Sequence, residues 1–202
     1  MEGHEVDDGA LAAVMLAVQE MGCENINLVT PTHVVPQILR ALRLAAGAGL
    51  RLPLVWNSGG YESVETLGFL EGIVDIYMPD FKWMDAQAGE RLTGVADYPA
   101  RVCEALQEMQ RQVGDLEVDT RAVASSGLLV RHLVMPGGLA DAEAVVRFLA
   151  EHVSPRCAVN IMGQYHPCGK VYEFEGLGER VSAETYRRAL SLARRAGLRL
   201  VG

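Results

Sequence analysis

Apolar residues at Leu11, Val14, Met15 and Val18 recur at helical spacing, with the cap candidates Asp7 and Asp8 before them and Gly22 after them. This pattern predicts a helix laid over a core. The next run, Asn25-Ile-Asn-Leu-Val-Thr30, is short, carries branched residues and stops at Pro31, which predicts a strand. Helical spacing returns at Val35, Ile38, Leu39 and Leu42 and ends at Gly47 and Gly49. The alternation then repeats. Strands are predicted at Leu52 to Ser58, Val74 to Phe81, Leu128 to Met135, Ala158 to Gly163 and Leu198 to Val201. Helices are predicted at Ser63 to Leu70, around Val102, Ala105, Leu106 and Met109, through Val145, Val146 and Leu149, and from Ser182 to Ala196.

Six strands apolar on both faces, each separated from the next by a helix, predict a parallel sheet covered by helices. The fold class is therefore α/β: a barrel, a part-barrel or a doubly wound sheet. At 202 residues, without a linker, low-complexity tract or short repeat, the chain reads as a single domain over residues 1–202.

Composition narrows the function classes. With 50% hydrophobic and 22% charged residues the chain is too apolar for disorder, yet no uncharged apolar stretch approaches the roughly 18 residues of a membrane span. Eighteen Lys and Arg against 26 Asp and Glu give a net charge of −8, which argues against a broad nucleic-acid surface while leaving room for a local basic pocket. The cysteines, Cys23, Cys103, Cys157 and Cys168, are scattered, and the chain opens with an acidic run from Glu2 to Asp8 rather than a signal segment. The expected compartment is the reducing cytoplasm.

Chemistry in parallel α/β folds gathers beyond the carboxyl ends of the strands. Those positions are polar here: Thr30 and His33, then Asn57 to Gly60, Asp80 and Lys82, Arg131 and His132, and Gln164 to His166. Asp80 and Lys82 have the period-two spacing that puts both side chains on one face of an extended strand. They read either as a solvated ion pair or as the site of a polar or charged ligand. The segment Asn57-Ser-Gly-Gly60 is either a plain turn or a place where a ligand meets bare backbone. His132 reads as structural, whereas His33 and His166 lie where barrel ligands bind. Cys168 beside His166 is a weak metal signal and more simply a packed loop cysteine.

Taken in order, five segments resemble the radical S-adenosylmethionine (SAM) superfamily. They are Asn25-Ile-Asn-Leu-Val-Thr-Pro-Thr-His33, Val55-Trp-Asn-Ser-Gly-Gly-Tyr61, Asp75-Ile-Tyr-Met-Pro-Asp-Phe-Lys-Trp-Met-Asp85, Val130-Arg-His-Leu-Val-Met-Pro-Gly137 and Asn160-Ile-Met-Gly-Gln-Tyr-His-Pro167. Within that superfamily they resemble the branch similar to pyruvate formate-lyase activating enzyme, including its uncharacterised relatives. The resemblance implies a six-stranded (β/α) part-barrel with SAM across the carboxyl ends of its strands. By position, Asn57 would shape the SAM and cation region, Asp80 would face the ribose, Lys82 the SAM carboxylate, Arg131 the active-site face and His166 the nucleoside. A carboxylate to hydroxyls and an ammonium to a carboxylate suit those roles.

Two departures from the family pattern qualify it. Thr30-Pro-Thr-His33 stands where the family has a Gly-Gly-Glu type segment, which touches recognition of the SAM amino group. The family's CxxxCxxC loop, whose thiolates hold a 4Fe-4S cluster, is not found among these residues. The expectation is that the chain begins after that loop, lacks the first barrel strand and leaves Asn25 to Val29 as an edge open to self-association. Three readings follow: an activating-type radical SAM protein without its cluster, acting in intact form on a protein radical acceptor; a barrel enzyme with Lys82 as Schiff-base nucleophile in a buried pocket; or a non-catalytic binding or assembly protein.

Overall fold

The apolar runs assemble into one sheet in the computed structural model, which describes residues 4–138 and 141–202. Met1 to Gly3, including the beginning of the acidic opening run, and Leu139 and Ala140 lie outside the described residues. The strands are β1 (Ile26–Val29), β2 (Leu54–Ser58), β3 (Ile76–Pro79), β4 (Glu117–Val118), β5 (Ala124–Leu133), β6 (Ala158–Met162) and β7 (Arg199–Leu200). The sheet order is β1-β2-β3-β5-β6-β7, with parallel pairing along the whole path and β4 antiparallel on β5. The six parallel strands are those expected from the sequence. The sheet is an open part-barrel, and β1 forms one edge, paired with β2.

The helices are α1 (Asp8–Glu20), α2 (Val35–Gly47), α3 (Val64–Gly68), α4 (Ala86–Thr93), α5 (Tyr98–Val113), α6 (Ala142–Phe148) and α7 (Ala183–Arg195). Their starts follow capping chemistry. Asp7, Ser63, Asp85 and Ser182 each accept a backbone N–H from the first turn of α1, α3, α4 and α7. The buried stripe of α5, Tyr98, Val102, Ala105, Leu106 and Met109, has the spacing of one helix face.

In β2, β3, β5 and β6 the two faces differ in burial. The outer face carries Trp56, Tyr77, Leu128, Val130 and Val159, all with no exposed surface, and packs under the helices. The inner face carries Asn57, Met78, Leu129, Arg131, Asn160 and Met162, each half-buried. Its lower end is closed by the β4–β5 hairpin. Leu116 packs there with Val55, Ile76 and Ala158 in a small second core, Arg199 Nη1 donates to the Leu116 carbonyl at 2.6 Å, and Arg121 at the hairpin tip reaches Glu24 ahead of β1 at 2.9 Å. Gly127 makes this approach possible. It has φ +109°, and a Cβ on it would collide with the Asp115 carbonyl and the Leu116 backbone. No described helix is long and apolar enough to cross a membrane.

Candidate functional site

The site is built by strand register. β3 stops at Pro79, which has no N–H to continue a ladder. Pairing nevertheless reaches one residue further, because Asp80 and Arg131 form an isolated parallel bridge and Phe81 N–H donates to the Arg131 carbonyl at 2.8 Å. The period-two expectation for Asp80 therefore holds past the end of the strand.

Across the inner face Asp80 meets Arg131. Arg131 Nε donates to Asp80 Oδ1 at 2.8 Å and Nη2 lies 2.6 Å from the same oxygen. Nη2 also donates to Asn57 Oδ1 at 2.8 Å. Lys82 Nζ stands 3.7 Å from the other Asp80 oxygen. Four of the five residues singled out in the sequence, Asn57, Asp80, Lys82 and Arg131, are thus one network, drawn from three loops and strands that lie up to 74 residues apart. His166 is exposed in the loop after β6 and is not joined to it.

The charges of this network are unequal. Asp80 neutralises Arg131 at short range, and both are about a quarter exposed, at 26% and 24%. Lys82 is 41% exposed and more distant, so it is the cation available to a ligand. That exposure also departs from the Schiff-base expectation, which called for a lysine in a buried pocket. Asn57 keeps its amide N–H groups as donors after its oxygen is taken by Arg131. Asn160 sits beside Arg131 in register, and Met78 and Leu129 give the face an apolar floor.

Two residues that sequence reasoning did not single out shape the rim. Tyr98, at the start of α5, is 6% exposed and touches both strand-end loops. It reads in the sequence as an ordinary core aromatic, and nothing in its local pattern marks it. Glu62 is 3% exposed. Its Oε1 accepts from the Thr32 hydroxyl at 2.7 Å and the Trp56 indole at 3.2 Å, tying the turn after β1 to β2, while Oε2 has no partner. A glutamate two positions after the Gly59-Gly60 pair was the available hint.

The described residues offer no group of three or more His, Cys, Asp or Glu that could hold a metal ion. Cys157 is buried and Cys103 half-buried, and burial pushes their thiols up to about 12 and about 11, away from thiolate chemistry. Cys23 and Cys168 are exposed, one after α1 and the other after β6. A 4Fe-4S cluster does not fit these residues. The donor set does fit a ligand with a carboxylate and a hydrogen-bonding sugar or base. A cavity of about 410 Å³ between α6 and α7, lined by Val134, Asp141, Glu143, Glu184 and Arg188, is separate from this network.

No family model matches the chain. It is similar to the uncharacterized protein MJ0674 of Methanocaldococcus jannaschii, 32% identical over 181 residues, which cover 88% of this chain and 48% of that protein. The chain thus spans about half the length of the curated relative it matches. Among solved structures it is similar to a radical SAM methyltransferase from Sphaerobacter thermophilus, with a TM-score of 0.64, 16% identity, and 97% of this chain and 57% of that one covered. A domain of pyruvate-formate lyase-activating enzyme from Bacteroides vulgatus has a TM-score of 0.61 at 12% identity, with 89% and 98% covered. The chain has the radical SAM type of fold.

Proposed function

We propose that the inner-face network is an adenosyl-ligand site and that the chain is the SAM-facing part of a radical SAM protein of the activating-enzyme type. The observation that carries this reading is the Asp80–Arg131–Asn57 network with Lys82 beside it, placed at the carboxyl ends of a parallel part-barrel of that fold. Lys82 supplies the ammonium for the ligand carboxylate. Asn57 and Asn160 offer amide donors to the nucleoside, and Asp80 keeps Arg131 extended along the inner face.

When bound, SAM would supply, by reductive cleavage of its C5′–S bond, the 5′-deoxyadenosyl group that the superfamily uses for hydrogen abstraction. The cysteines described do not make a cluster site, so on this reading the chain alone is inactive in that chemistry. The acceptor class that the activating-enzyme branch implies is a protein segment, and it would enter from the open strand ends.

Calorimetry or ligand-detected NMR with SAM and 5′-deoxyadenosine tests the reading. Binding should be weak in the chain alone. Asp80→Ala and Lys82→Ala should each lower SAM affinity about ten- to a hundredfold, the loss expected for a charge-assisted hydrogen bond. Exchange of the exposed Arg187 should change nothing. If neither ligand binds at millimolar concentration, or both variants bind like the parent, the network is a solvated rim and the reading is wrong.

A further inference from the structure

Asn57 and Arg131 of the network sit within β2 and β5, but Asp80 and Lys82 follow the end of β3, beside the Gly59–Gly60 loop that follows the end of β2. Something must hold these two loops at a fixed spacing. One side chain contacts both. The Tyr98 hydroxyl accepts the Lys82 backbone N–H at 3.0 Å and lies 2.9 Å from the Asp80 carbonyl and 3.1 Å from the Gly59 carbonyl. A phenol has one proton to give and can accept as well, so this hydroxyl is fully used, donating to one carbonyl at a time or sharing between them.

The surroundings enforce the position. Trp83 leans on the Tyr98 ring at 5.8 Å and Tyr61 stacks on it at 6.3 Å. Gly60, with φ +78°, brings its loop so close that a Cβ would collide with the Asp80 carbonyl and Val102. Burial pushes the Tyr98 phenol up, which keeps its proton in place at neutral pH.

We propose that Tyr98 is a positioning residue for ligand binding, whose hydroxyl fixes the Asp80–Lys82 segment against the Gly59–Gly60 loop and so sets where Lys82 meets the ligand carboxylate. It acts through Lys82 and Asp80 and needs no contact with the ligand. The proposal rests on the reading of the inner face as an adenosyl-ligand site, and its test separates the two.

The variant is Tyr98→Phe, which keeps the ring and removes the hydroxyl, with Tyr77→Phe as control. The Tyr77 hydroxyl is also held inside the protein, donating to Gln112 at 2.6 Å, a residue outside the network. SAM and 5′-deoxyadenosine binding are measured by calorimetry, and the Lys82 amide and Arg131 Nε–H signals by NMR. Tyr98→Phe should lower SAM affinity about tenfold, change 5′-deoxyadenosine affinity much less because that ligand has no carboxylate, and shift the Lys82 amide signal. Tyr77→Phe should leave affinity and both signals alone. If Tyr98→Phe matches the parent in affinity and signals, or both variants lose affinity equally, Tyr98 is packing only and the proposal is overturned. If the parent binds neither ligand, the adenosyl reading fails, and the clamp stands or falls on the NMR signals alone: a shift with Tyr98→Phe and none with Tyr77→Phe supports it, and no shift overturns it.

Discussion

Leu128 and Leu129 are neighbours in β5, and the sheet sends them to opposite sides. Leu128 disappears among the helices with no exposed surface, while Leu129 is half-buried on the inner face among Val55, Ile76 and Ala158. The outer face is nearly all apolar and packs under the helices. The inner face mixes an apolar floor with a polar rim and stays open at the strand ends. The difference shows how one parallel sheet divides labour: the covered face supplies cohesion, and the uncovered face can then hold Asn57, Asp80, Lys82 and Arg131 where water and a ligand can reach them.

The sharpest way to break this comparison is to cut the two leucines separately. Leu128→Ala should cost about 2–5 kcal/mol, the range for a buried leucine that leaves a cavity. Leu129→Ala should cost roughly half of that or less, because the residue already touches open space. Urea denaturation of both variants measures this. Equal losses would mean that the inner face carries as much of the core as the outer one.

The outer face was also the more legible in the sequence. Runs such as Leu54-Val-Trp56 and Ile76-Tyr-Met78 announce themselves because parallel strands under helices read as near-continuous apolar stretches. The first part of β5, Ala124-Ser-Ser-Gly127, gave no such signal, because it is held by the hairpin and by the close backbone approach at Gly127 rather than by side-chain burial. β4 is two exposed residues, Glu117 and Val118, too short to show a period. Helix α4 carries Gly89 at its centre and a sparse apolar pattern, so it too was not anticipated. On the inner face, Asp80 and Lys82 could be paired from spacing alone, but the bond from Asp80 to Arg131, 51 residues later, exists only through strand register. Tyr98 lay outside any motif, because its role depends on two loops that meet only after folding.

A second test sharpens the outer side. His132 is on the covered face with no exposed surface. Its Nδ1 lies 2.7 Å from the Phe81 carbonyl, which can only accept, so Nδ1 carries the proton and the unpartnered Nε2 is bare. Burial holds its pKa below the ordinary 6.5, with the Phe81 carbonyl and the Asp141 charge offsetting this in part. The folded state therefore binds fewer protons than the unfolded state once pH drops below about 6.5. Stability should be level above that pH and decline below it, by at most about 1.4 kcal/mol per pH unit, until the folded-state pKa is reached. Urea midpoints at pH 7, 6 and 5.5 measure the decline, and His132→Gln should flatten it. A parent curve already flat over that window would place a water or charge partner on Nε2.

The smallest effect belongs to the hairpin that closes the inner face from below. Arg121 makes a two-armed contact with Glu24 at 2.9 and 3.0 Å and also bonds Asp119, which gives it the look of a latch between the hairpin tip and the approach to β1. Its surroundings argue otherwise. The Arg121 side chain is 63% exposed and that of Glu24 49%, so water and salt screen the attraction, and ordering two long side chains offsets what remains. The hairpin is instead anchored by Leu116, which is 4% exposed in the second core, and by the Arg199 hydrogen bond to the Leu116 carbonyl. Arg121→Ala should leave the urea midpoint within error of the parent at ordinary salt, and amide exchange at Ser126 and Leu128 should be unchanged. Leu116→Ala should speed exchange at both. A clear loss from Arg121→Ala with little from Leu116→Ala would make the ion pair the closure and the small apolar core an accessory to it.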